Sequence, residues 1–80
     1  MSPLRSRTAV TVSALQRAWR LTPAEARSVS ALTLGRTPHE IAAACAISVH
    51  TVRSQLKRAM HKAGVHSQSA LVASAYRLVL

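Results

Sequence analysis

Between Thr37 and Gly64 the chain reads TPHEIAAACAISVHTVRSQLKRAMHKAG, and the spacing of its caps decides the fold. Thr37 stands before Pro38, with Glu40 three places on: a threonine cap, a proline at the first helical position and the reciprocal carboxylate of a capping box. A helix therefore starts at Pro38 and carries Ile41, Ala42 and Cys45 inward. Ser48 caps the next helix, and Gly64 ends it. About three residues separate the two helices, in the interval from Cys45 to Val49. That is the short turn of a helix-turn-helix unit, in which the second helix enters the major groove of DNA.

On the amino-terminal side the same start signal occurs once more. Thr22, Pro23 and Glu25 open a helix that Gly35 closes. Before it, Val12, Leu15 and Trp19 recur at i, i+3 and i+7, so residues 11–20 form a short amphipathic helix with Trp19 as a packing anchor. Residues 1–10 are rich in Ser and Arg, with an early proline, and read as a flexible basic arm. On the carboxy-terminal side Ser67 caps a last helix that turns Leu71, Ala75 and Leu78 to the core. Helices joined by so few residues must pack as immediate neighbours. The expected fold is all-α: a small four-helix bundle of helix-turn-helix type over residues 21–80, with an extra short N-terminal helix.

Placed on a wheel, residues 49–63 divide into two faces. Val52, Leu56, Ala59 and Ala63 fall together, with Met60 at their edge, and hold the helix to the core. The opposite arc carries His50, Arg53, Ser54, Lys57 and His61, with Arg58 and Lys62 on one flank and no acidic residue among them. Long cationic side chains in the amino-terminal half can reach guanine O6 and N7, which selects Arg53 and Lys57 as base contacts. The flanking cations can neutralise phosphates. Ser48, Thr51 and the amides of the helix start can bind a phosphate, because unpaired N–H groups and the helix dipole favour an anion there.

Composition narrows the function classes. Eleven Lys and Arg stand against two acids, Glu25 and Glu40, for a formal charge of +9 over 80 residues. Such a field attracts polyanions. With no Asp and two widely spaced Glu there is no paired-carboxylate acid/base site and no magnesium cage, and no Ser/His/Asp set or phosphate-cradling glycine loop replaces them. The chain reads as a non-enzyme needing no cofactor. His39, His50, His61 and His66 lack zinc spacing, and Cys45 has no cysteine partner. The longest apolar run, Ile41 to Ile47, is too short to span a bilayer, and the amino terminus lacks the pattern of a signal peptide. The expected location is the cytoplasm, away from any membrane.

From Leu21 to about Tyr76 the sequence resembles the DNA-binding domain of the LuxR/GerE family of bacterial transcription regulators. The likeness is carried by LTPAEA from Leu21, TPHEIA from Thr37, ISVHTVRSQL from Ile47 and AGVHSQSAL from Ala63, with Gly35 at the first helix end. It implies a four-helix domain that binds double-stranded DNA, usually as a homodimer on a two-fold-related site. It implies base contacts at Arg53, Ser54 and Lys57 and phosphate contacts at Thr51, Arg58 and Lys62. It also implies a dimer interface on the last helix, at Val72, Tyr76 and Val79. The chain departs from the family pattern at Ser28, usually apolar, at Cys45, usually leucine, at Gln55, often histidine, and at Ala46, where a glycine or polar residue is common.

Two other readings fit the same residues. One is the promoter-recognising fourth region of a sigma factor, although such a region generally ends soon after its reading helix. The other is an interaction module that docks on RNA polymerase or another regulator, its charge serving only solubility.

Overall fold

The computed structural model describes residues 10–79. Five helices follow one another: α1 Val12–Trp19, α2 Pro23–Thr33, α3 Pro38–Cys45, α4 Val49–Ala63 and α5 Gln68–Arg77, and no strand lies among the described residues. The expected all-α helix-turn-helix bundle with its short leading helix is the fold.

Each start is made by a hydroxyl. Thr11, Thr22, Thr37, Ser48 and Ser67 all adopt extended backbone and accept the N–H of the residue three places on. This satisfies one of the amides a helix start leaves without a partner. Both expected capping boxes are complete: Glu25 accepts the Thr22 N–H at 3.0 Å and Glu40 accepts the Thr37 N–H at 2.8 Å. The first four helices stop at left-handed residues, while α5 ends at Leu78 in right-handed backbone. Gly35 and Gly64 have positive φ, and beyond Gly64 the Val65 N–H reaches back to the Met60 carbonyl at 3.0 Å. Arg20 and Ala46 take the same region with φ 56°.

The core is one cluster drawn from every helix. Ala26, Val29 and Leu32 of α2 pack with Val52, Leu56 and Ala59 of α4, and Val10, Leu15, Leu21, Ile41, Ala42, Leu71 and Ala75 complete it. The small alanines let helix axes approach closely enough for a chain this short to bury a continuous interior. Trp19 packs against this cluster from α1, as expected of an anchor.

Three expectations are corrected. Val10, placed in the flexible arm, is 1% exposed, and its N–H donates to Thr33 Oγ1 at 3.2 Å, so the packed body begins at least one residue earlier; the rest of the arm lies outside the described residues. Cys45 is exposed rather than inward, since it ends α3 at the turn while Ile41 and Ala42 fill the inner positions. Leu78, expected on the core, is 39% exposed: it is the C-cap residue at the end of α5, whereas Ala75 one turn before it is fully buried. Tyr76 is half-buried against the core, and its hydroxyl donates to the Thr33 carbonyl.

Candidate nucleic-acid interface

The turn Ala46 to Ser48 joins α3 to α4. Ala46 makes the reversal with positive φ, and the Ile47 N–H bonds the Ala42 carbonyl at 3.1 Å, closing the end of α3. Ser48 then caps α4: its Oγ accepts the Thr51 N–H at 3.0 Å, and the Ser48 and Thr51 hydroxyls lie 2.9 Å apart. Both residues are exposed. The two hydroxyls thus sit together at the positive end of the longest helix.

Val52 and Ala59 are fully buried and Leu56 nearly so, fixing α4 against the bundle. His50, Arg53, Lys57, Arg58 and His61 are exposed on its other side, and Ser54 is half-buried at the margin. No carboxylate occurs in the helix. The structure therefore brings Arg53 and Lys57, one turn apart, onto an open cationic face with Ser54 beside them.

Lys62 departs from this set. Its Nζ lies 2.8 Å from Glu25 Oε1 and donates to the Arg20 carbonyl at 3.3 Å. The carboxyl oxygen it meets also accepts the Thr22 N–H of the first capping box. Glu25 is 3% exposed. Burial alone would raise its pKa, but the Lys62 hydrogen bond, the Thr22 amide and the charges of Lys62 and Arg58 outweigh that and hold it below its ordinary value of 4.5. Lys62, expected on phosphate, has its ammonium turned into the molecule, where it bolts the carboxy-terminal half of α4 to the start of α2. With two acids in the chain, a buried one almost had to attract a cation. Which cation depends on how α2 and α4 pack.

Gln55 and Ser28 were not expected to act together. Ser28 on α2 is 2% exposed, and its Oγ donates to Gln55 Oε1 on α4 at 2.6 Å. Two departures from the family pattern are thus one hydrogen bond between the supporting helix and the basic one.

A protein-family model for bacterial regulatory proteins of the luxR family, GerE, matches residues 20–75. The chain belongs to the luxR family. No curated protein and no solved structure was found to match it. Membership makes this luxR-family chain a DNA-binding transcription regulator. The matched segment starts just after α1 and stops two residues short of the end of α5, so it contains the whole helix-turn-helix unit and most of the last helix. Among the described residues no group of three His, Cys, Asp or Glu could hold a metal ion, and no helix is long and apolar enough to cross a membrane.

Proposed function

We propose that this regulator reads DNA sequence in the major groove through α4, as a dimer on a two-fold-related site. The observation that carries the reading is the division of α4: one side sealed into the core by Val52, Leu56 and Ala59, the other an exposed row of cations without a single acid, directly after a three-residue turn. A basic face on a solvated helix is ordinarily interrupted by acids. Here it is continuous and rigidly backed, which is what a base-reading surface needs.

In this reading Arg53, Ser54 and Lys57 contact base edges, with Arg53 suited to bidentate pairing with guanine. Ser48, Thr51 and Arg58 contact phosphates and set register. Lys62 serves indirectly by fixing the angle of α4. Dimerisation rests on the apolar surface at the end of α5. Val79 is 54% and Leu78 39% exposed, and Val72 is half-buried. Tyr76, tied to Thr33, supports that surface from behind. The presence of α5 beyond the basic helix also favours this reading over a sigma-factor region. Arg53→Ala tests it: a loss of about 1 to 3 kcal/mol on the specific site, with little change on scrambled duplex, supports base reading. Equal losses on both duplexes would contradict it.

A further inference from the structure

A groove of about 610 Å³ opens between α4 and the turn that leads into α5. Its wall is a row of exposed cationic and imidazole side chains one turn apart, Arg53, Lys57 and His61. Leu56, Met60 and Val65 supply the apolar part of the lining; Leu56 is buried and the other two are half-buried. The turn leaves the space open because Gly64 reverses the chain with φ 74°, and nothing lies within 4 Å of where its Cβ would be. Among the described residues no carboxylate lines the groove.

Phosphate binding explains the cations but not the apolar lining beside them, which offers a nucleic-acid backbone nothing to bond. A recess of this size lies within the range of about 300 to 1,000 Å³ typical of small-molecule sites, where apolar walls hold the body of a ligand and a few polar groups orient it. Met60, unbranched and polarizable, adapts to varied ligand shapes. We propose that this groove binds a small amphipathic organic anion, a carboxylate or sulfonate bearing a ring system or short acyl chain. The anion sits at Arg53 and Lys57 and the body lies on Leu56, Met60 and Val65. Because those two cations are also the proposed base readers, an occupied groove excludes DNA. That last clause rests on the reading of α4 given above; the ligand site itself does not.

Anilinonaphthalene sulfonate, an aromatic anion that fluoresces when its rings leave water, probes the site with the full chain. The expected result is saturable, blue-shifted binding of one probe per chain. Lys57→Glu, at an exposed position that does not threaten folding, weakens it about tenfold. Arg77→Glu makes the same charge change away from the groove and leaves affinity within about twofold. Met60→Glu places a carboxylate among the apolar lining and abolishes binding in a protein whose helical circular dichroism is retained. Absence of saturable binding, or equal losses in Lys57→Glu and Arg77→Glu, would overturn the site. A short random-sequence duplex should displace the probe. Lys57-dependent binding that duplex DNA leaves untouched would retain the ligand site and remove its link to DNA.

Discussion

Ser28 carries a hydroxyl into the interior, one of three buried polar residues among those described, with Glu25 and Thr33, and Gln55 meets it at 2.6 Å. A buried hydroxyl without a partner costs about 1 to 3 kcal/mol, so the pair converts a penalty into a fixed contact between α2 and α4. The sequence marks each residue as a departure from its family, but not that they face each other: they lie 27 positions apart, and their meeting depends on how two helices pack. Ala46 is more local, and its position in a three-residue turn already raises the question of its backbone. It takes φ 56°, where an L side chain crowds the carbonyl and glycine does not. Ala46→Gly is expected to raise stability by about 0.5 to 1 kcal/mol, seen as a higher thermal midpoint. A lowered midpoint would contradict the strain at this turn.

At the scale of elements, the helix starts were legible because capping is chemistry within four residues: a hydroxyl, a proline and a carboxylate at fixed offsets. The inner face of α4 was legible for the same reason, since its period is local. Lys62 was not. On a wheel it belongs to the basic flank, yet it pairs with a carboxylate that α2 brings alongside. Arg58 and Lys62 therefore separate experimentally. Lys62→Ala should lower stability by about 1 to 2 kcal/mol, discounted because a third of the side chain meets solvent, while Arg58→Ala should weaken DNA binding and lower the thermal midpoint by less than Lys62→Ala does. Equal effects of the two substitutions on both quantities would return Lys62 to the phosphate-contacting flank. Glu25 adds a pH dependence of definite sign. Its pKa is depressed in the folded state, so the unfolded chain binds the proton more tightly. The stabilisation is fully present above its ordinary value of 4.5 and is lost as pH falls through the folded-state value. The midpoint of the parent protein should fall on acidification through that range, and Glu25→Gln should flatten the fall. An unchanged slope in the variant would assign the effect to other groups.

Across the whole molecule, a charge of +9 with two acids speaks to partner class rather than to fold. One of those acids, Glu25, is spent internally on Lys62, so the outward field of α4 is unopposed by its own helix. DNA affinity should fall steeply with salt, with a log–log slope of about −0.9 per phosphate contact. A nearly flat response would mean that the charge is not what holds the complex. The bundle's architecture could be read from caps, periods and short connections. The edges of the body were harder to read, because Val10 and Tyr76 are placed by contacts with Thr33 of α2 and not by local pattern, while Leu78 is left exposed at the end of α5.

The claim on which the rest depends is that α4 reads sequence. Selection from a randomised duplex library, run in parallel with the parent chain, Arg53→Ala and Lys57→Ala, tests it most directly. The parent should enrich a two-fold-symmetric motif, and each variant should lose preference at a different base pair within the half-site while keeping the others. No enriched motif, or the same motif from all three proteins, would contradict it.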